Sequence, residues 1–522
     1  MNRSTPYTIL IILTFFCTTT AISQYHYVQV QDTHFVLEGK PYYFVGTNFW
    51  YGCYIGSTGQ TGDTLRLLRE LDRLKSKGID NLRILGASEA STNQAVVQPA
   101  IQTSPGVYND SLLIGLDFLL SEMGKRKMKA VIFLNNYWNW SGGMFQYLSW
   151  FGGGGSLYNA SPFYSNVSAN AAYLHYINDL IHRQNSVSGL YYYEDPAIMA
   201  WELANEPRPG NYLNAFYQWI DSTAHYIHSI DINHLVTTGN EGTISSLGSG
   251  TIFLQAHQSP SIDYATIHLW ALNWGWYNPY NSATTYISAL AKAKDYIQTH
   301  LAFAHTLHKP LTMEEYGLPR DLQNYDAGSS TAYRDQYYDA LLQLIYDSAA
   351  AGAPIAGSNF WGWGGEARSP NSDFTWRTGD PFMCDPPMEA QGLNSVFDTD
   401  SSTIGILKKY SILMMGLRDT GGFAEQPNII YNFSLEQNYP NPFNPTTAIQ
   451  FSLKSLSRIS LIVYNLLGQK VTTLAQRVES MGTHTIVWDG TDEYHRPVAS
   501  GVYIYRLQTD RESLQKKMLL IR

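Results

Sequence analysis

The sequence predicts an α/β protein: a (β/α)8 barrel of the TIM type, followed by a small all-β, Ig-like sandwich. Two observations carry this. Between about residue 42 and residue 418, eight short apolar runs alternate with longer helical patterns, as parallel strands buried on both faces alternate with the helices that cover them. Past Thr420 the pattern becomes strict apolar–polar alternation broken by turn residues, which reads as half-buried antiparallel strands. A chain of 522 residues has room for both units.

Taken in order, the strands are read at Tyr43–Gly46, Asn81–Leu85, Ala130–Leu134, Ala197–Leu203, Leu235–Thr238, Tyr264–Ile267, Leu311–Met313 and Ile355–Phe360. The first helical pattern, Asp63–Lys77, opens on a capping Asp63 and stops at Gly78. Ser111–Lys127, Ala169–Arg183, Leu213–Ile230, Thr285–His300, Thr331–Ala350 and Ile404–Leu417 complete the set. A doubly wound open sheet is disfavoured, because Gly46-Thr47-Asn48-Phe49-Trp50 after the first strand is no glycine-rich phosphate turn. The barrel unit is placed at residues 24–419, a linker at 420–434 and the sandwich at 435–522. Within the sandwich the alternating runs are Ala448–Leu453, Ile459–Tyr464, His484–Trp488 and Gly501–Leu507. Its aromatics Tyr464, Trp488, Tyr503 and Tyr505 are read as core.

The N-terminus has the layout of a secretory signal peptide over residues 1–23: Arg3, an apolar run Ile9–Cys17, and the small-residue site Ala21-Ile22-Ser23. No other stretch approaches the ~18 apolar residues of a membrane span. With Lys+Arg 34 against Asp+Glu 43, the net charge of −9 gives no basic surplus for nucleic-acid binding. Charged residues make up 15%, against about 25% in ordinary domains, while aromatics reach 14%. Flat rings with polar tips suit a surface that grips something ring-shaped and wet. No HExxH and no zinc-ligand spacing occurs among the 14 histidines, so neither metal nor cofactor is expected.

In a barrel, chemistry sits where strands end on the C-terminal face. Acids follow two of the apolar runs: Trp201-Glu-Leu-Ala-Asn-Glu-Pro-Arg208 after the fourth, and Met313-Glu-Glu-Tyr-Gly317 at the seventh. One acid to protonate a glycosidic oxygen and one carboxylate to attack the anomeric carbon form the minimum set for retaining hydrolysis.

These two segments resemble glycoside hydrolase family five, and more narrowly its endo-β-1,4-mannanase subfamily (subfamily seven). Gly46–Gly52, Asn135–Trp150, Ser358–Arg368 and Asp385–Asp400 are similar to that subfamily too, so the likeness spans residues 25–418. It implies a retaining endo-β-1,4-mannanase, with Glu206 as acid/base and Glu315 as nucleophile. The choice of Glu315 over Glu314 rests on the family's Glu-aromatic-Gly pattern. It further implies that Asn205 bonds the sugar 2-hydroxyl, that Arg83 keeps the nucleophile ionised, that His268 is the active-site histidine, and that Trp361 is the platform beside the scissile bond. Partial burial and the charge on Glu315 are expected to raise the pKa of Glu206. Family members often carry a tyrosine two residues after the strand-six histidine, in contact with the nucleophile. Here that position is Trp270, which leaves the contact either to another residue or missing.

Trp138, Trp140, Trp274 and Trp276, in polar loop contexts, are candidates for stacking on sugars, with space-filling under long loops as the other reading. Glu366 and Arg368 either reach a neighbouring sugar or form a loop salt bridge. Cys53 follows the first strand and Cys384 the eighth, which are neighbours in a closed barrel. They form a disulfide if their Cα atoms come within about 7 Å; otherwise they are two buried thiols that pack.

The C-terminal unit resembles the sorting domain of the type IX secretion system, through Leu435–Thr447, Trp488-Asp-Gly490, Val498–Tyr503 and the basic end Lys516, Lys517 and Arg522. That implies the outer-membrane secretion machinery as a partner. The location is then outside the cell or on its surface, reached through a Gram-negative periplasm. The substrate expected is a β-mannan-type polysaccharide, and the enzyme is expected to be a monomer with no nucleic-acid partner. A β-1,4-glucanase of the same clan and a non-catalytic glycan-binding barrel are the alternatives. The presence of both Glu206 and Glu315 argues against the second.

Overall fold

The computed structural model describes residues 27–93, 96–153, 159–244, 250–419, 433–453, 457–479, 482–494, 496–509 and 512–521. The expected signal peptide and nearly all of the expected linker lie outside the described residues.

Eight parallel strands form the barrel: β1 (Phe44–Asn48), β2 (Asn81–Leu85), β3 (Lys129–Phe133), β4 (Ile198–Glu202), β5 (Leu235–Thr237), β6 (Ala265–Leu269), β7 (Leu311–Tyr316) and β8 (Ile355–Phe360). Their order is β5-β4-β3-β2-β1-β8-β7-β6, and a parallel bridge between Thr237 and Tyr264 joins β5 to the entrance of β6. All residues of these strands are buried, which is why the sequence shows apolar runs rather than alternation. The (β/α)8 expectation holds, and each strand lies within two or three residues of where it was read.

Around the barrel lie α1 (Thr64–Ser76), α2 (Asp110–Lys125), α3 (Val167–Ile181), α4 (Leu213–Ile230), α5 (Ser282–Leu307), α6 (Ala332–Ala350) and α7 (Ser401–Leu417). Three of them open on side-chain caps, in which Asp63, Asn109 and Asn166 accept from the backbone N–H of Arg66, Ser111 and Ala169. Helix α5 runs well past the expected Thr285–His300 and ends where His308 turns left-handed. Helices Gly143–Phe151 and Thr251–His257 were not read from the sequence. The first starts at Gly142-Gly143, both at positive φ, a dipeptide that reads as loop.

The barrel has a floor. A small antiparallel sheet, Gln29–Gln31, His34–Leu37 and Lys40–Pro41, crosses the strands' N-terminal end. Val28 and Phe35 pack there on Tyr42, Phe44, Val131, Met199, Leu235 and Tyr264, the Phe35 and Tyr264 rings edge to face at 5.1 Å.

The sandwich pairs a sheet of β9 (Ser434–Leu435), β10 (Thr447–Leu453) and β13 (Gly482–Trp488) with one of β11 (Ser457–Asn465), β12 (Lys470–Glu479), β14 (Gly501–Gln508) and β15 (Ser513–Leu520). Trp488, Tyr503 and Tyr505 are buried as expected, but Tyr464 is only half-buried and lies under the Arg506 guanidinium. Strands β12 and β15 escaped the sequence reading. Both are edge strands, and β15 carries Lys516 and Lys517, charges that keep a free edge from pairing. Among the described residues, no helix is long and apolar enough to cross a membrane.

Candidate active site

Strand β4 ends at Glu202, and Leu203-Ala204-Asn205-Glu206 continues across the barrel mouth. Glu206 sits at φ 50, a left-handed conformation uncommon for a residue with a side chain. Its N–H donates to the Gly239 carbonyl at 3.0 Å. That approach requires a glycine: at φ +73, a Cβ on Gly239 would lie 2.0 Å from the Ala204 carbonyl oxygen and 2.2 Å from Glu202 Oε1. Across the mouth, β7 carries Glu314 and Glu315. Glu315 faces the cleft, whereas Glu314 accepts from the Tyr264 hydroxyl at 3.2 Å, toward the floor. One oxygen each of Glu206 and Glu315 and one nitrogen of His268 all lie within 4.8 Å of one another.

Behind the carboxylates stands Arg83, fully buried on β2. Its Nε and Nη2 donate to the two oxygens of Glu202 at 2.7 and 2.6 Å, and Nη2 also donates to Asn205 Oδ1 at 2.8 Å. Nη1 donates to Asn48 Oδ1 at 3.0 Å and to Glu315 Oε1. The guanidinium's five donors are thus engaged within the protein. Arg83 thereby ties Glu315 to Asn205 through one side chain. The His268 ring is sealed from solvent, and its Nδ1 lies 2.7 Å from Glu206 Oε1 and 3.4 Å from Glu315 Oε2.

These contacts set the protonation states. Burial alone lowers the pKa of His268, but the charge on Glu315 and the bond to Glu206 raise it to about 9. Burial alone would raise Glu206, yet the bond to His268 and its charge pull that carboxyl below its ordinary value. The expectation of a raised Glu206 is therefore reversed, and the proton of the pair rests on the imidazole. For Glu315, burial outweighs His268 and Arg83 and leaves the carboxyl above its ordinary value. The charge on Arg83 and its hydrogen bond do lower it, but burial and the charge on Glu206 outweigh them. Glu314, buried beside Glu202, is raised to about 8.

The cleft above the pair has a volume of about 440 Å³. Trp138, Trp140, Asn205, Glu206, Arg208, Glu241, Trp270, Trp274, Glu315 and Trp361 all line it. Trp138 donates its indole N–H to Glu206 Oε2 at 2.7 Å, and one ring face is covered by the Arg208 guanidinium. Trp140 is buried against Trp50, and Trp274 packs on Trp276 and Tyr296. Trp276 does not border the cleft. Trp361 lies edge-on to Trp270 at 6.0 Å, just before a cis peptide to Gly362.

The contact to Glu315 left open in the sequence is made by Trp270 itself, whose indole N–H donates to Glu315 Oε2 at 3.2 Å. Tyr316 is buried against Tyr338. Glu366 pairs with Arg69 and Arg73, and Arg368 with Asp398, so both are loop salt bridges. Of the two readings for Cys53 and Cys384, the second holds: they are free, buried thiols. Cys53 packs in the turn Gly52–Ile55, whereas Cys384 Sγ sits 2.0 Å from where a Cβ on Gly362 would be.

Sequence reasoning assigned no role to Glu202, Glu241 or Asn48. Glu202 sits in a quoted motif, and a charged residue inside a buried strand is itself a signal for a buried partner. Glu241 follows β5 as Glu206 follows β4, so the same search for acids after strands finds it. It pairs with Arg208 at 2.6 and 2.8 Å, and burial with the Glu206 charge raises it to about 7. Among the described residues, Glu206, His268 and Glu315 are the group with the donor set and spacing for a divalent cation. Their charges are already balanced against one another and against Arg83.

A parallel barrel with two carboxylates meeting at the C-terminal ends of its fourth and seventh strands defines a glycoside hydrolase. Residues 25–419 match the family described as glycoside hydrolase family 5 beta-mannosidase-like, and the chain belongs to that family. Residues 437–521 match the secretion system C-terminal sorting domain. The chain is 30% identical to mannan endo-1,4-beta-mannosidase 4 of Solanum lycopersicum, over 66% of this chain and 84% of that protein. It is 31% identical to mannan endo-1,4-beta-mannosidase 1 of Oryza sativa subsp. japonica, over 64% and 78%. A family 5 mannosidase from Rhizomucor miehei superimposes with a TM-score of 0.70 at 31% identity, covering 76% of this chain and 99% of that one.

Proposed function

We propose that this protein is an exported endo-β-1,4-mannanase that hydrolyses internal linkages of mannan, glucomannan or galactomannan with retention of configuration. One observation carries the mechanism: the carboxyls of Glu206 and Glu315 approach within 4.8 Å. That suits a nucleophile and an acid/base flanking one bond, and leaves no room for the water that an inverting pair holds between them. The mannan substrate is supported by the relatives named above, and export by the C-terminal sorting match.

In this reading Glu315 attacks the anomeric carbon while the glycosidic oxygen takes a proton from Glu206, which draws on the hydrogen bond to His268. The chemistry drives that transfer. Glu315's negative charge is one of the two interactions that keep His268 protonated. As the glycosyl ester forms, that charge disappears and the imidazole yields its proton more readily. Glu206 then takes a proton from the incoming water, whose oxygen displaces Glu315 from the sugar. Asn205, held by Arg83, is in place to bond the hydroxyl beside the anomeric carbon.

The test is reducing-end release from linear mannan, glucomannan and carboxymethylcellulose, with the product anomer followed by NMR. Activity on mannan with β-anomer appearing first is expected. Activity on the cellulose derivative alone overturns the mannose assignment, α-anomer first overturns the double displacement, and silence on all three leaves a glycan-binding barrel.

A further inference from the structure

The segment Asp385–Gln391 has no role in the chemistry above, yet it is built with unusual care. Asp385 accepts from the backbone N–H of Gly392 and Asn394 and from the Ser395 hydroxyl at 2.7–2.8 Å. The Gln391 amide donates to the carbonyls of Asp385, Pro386 and Glu389. The Glu389 N–H closes a turn onto the Pro386 carbonyl at 2.9 Å. This rigid loop reaches the cleft with Pro386, Met388 and Glu389. Glu389 Oε2 is buried and, among the described residues, has no hydrogen-bond partner; nor does the side chain make an ion pair. A buried polar atom left unpaired is destabilising and calls for an explanation.

We propose that Glu389 is a sugar-binding residue whose carboxyl hydrogen-bonds a hydroxyl of the sugar on the nucleophile's side of the scissile bond. The assignment rests on the mannanase reading above. The loop follows β8, the neighbour of the strand that carries Glu315, and Trp361, just past the end of β8, lines the same cleft. The charges Glu389 feels are Asp385, Glu315 and Glu206, with Glu315 ahead of Glu206. Burial and this acidic company raise it to about 8, so at neutral pH it carries a proton. A protonated carboxyl both donates and accepts, which matches a sugar hydroxyl, itself donor and acceptor. The ligand class is a neutral polyol, since three acids around the carboxyl repel any anion.

The experiment measures kcat and KM on β-1,4-mannotetraose for the full-length enzyme, Glu389→Ala and Glu389→Gln, with a thermal melt of each. Expected for Glu389→Ala is a loss of about 10–100-fold in kcat/KM with the melting temperature held, and for Glu389→Gln recovery to within about threefold of wild type. Should Glu389→Ala fail to fold, Glu389→Leu takes its place, keeping bulk without the hydrogen bond. A folded Ala or Leu variant as active as wild type overturns the proposal, and so does a Gln variant as impaired as Ala. A wild-type enzyme silent on the tetraose instead overturns the mannanase reading, and this assignment with it.

Discussion

The two ends of the barrel are built on opposite principles. At the mouth, Glu202, Glu206, Glu241, His268, Glu315 and Arg83 are all buried, and burial, neighbouring charges and hydrogen bonds shift the protonation of Glu206, Glu241, His268 and Glu315. At the floor, Val28, Phe35, Phe44, Met199, Leu235 and Tyr264 meet side chain to side chain, with area removed from water as the main term. Charges buried in pairs add little net stability, because desolvation offsets their attraction. Apolar burial adds stability but offers no group that reacts. The comparison teaches a division of labour along one set of strands: the same eight run from a stabilising end to a reactive one.

The largest expected effect tests the mouth. Glu315→Ala should lower kcat on mannan by about four orders of magnitude or more, with an unchanged circular dichroism spectrum and no loss of melting temperature. A variant that retains wild-type turnover would break the nucleophile assignment. Next comes the floor. Phe35→Ala, at a position 1% exposed, should destabilise the fold by about 3–5 kcal/mol in denaturant titration. Its kcat/KM at 25 °C should stay within about twofold of wild type. If activity fell without stability, the division would be false. The smallest effect sharpens the comparison inside the mouth. Trp270→Phe removes the N–H donor to Glu315 but keeps an aromatic ring, and should cost about tenfold in kcat/KM. Its pH–rate profile should also shift upward on the acid limb, because Glu315 loses a donor to its charged form.

The barrel was legible because burial on both faces writes each strand as an apolar run, and because caps such as Asp63 mark where helices begin. The carboxylates were legible because they follow strands within longer motifs. The pKa of Glu206 was not, since it depends on an imidazole 62 positions away in sequence and 2.7 Å away in space. Arg83 was visible as a residue but not as a hub, because no sequence spacing reports that Glu202 claims two of its donors. The floor sheet went unread, being three strands of two to four residues that make sense only under a barrel already closed. In the sandwich, β12 and β15 lacked a clean alternation because edge strands trade apolar residues for charge.

Arg83 joins four strands through one side chain: Asn48 ends β1, Arg83 lies on β2, Glu202 and Asn205 belong to the end of β4, and Glu315 lies on β7. Glu315 is therefore oriented by a residue on a strand that is not its neighbour in the sheet. A half-barrel of the first four strands holds Glu206 and the guanidinium but not Glu315. On the proposed assignment, catalysis is in this sense a report of closure: turnover needs the seventh strand in place across from the fourth.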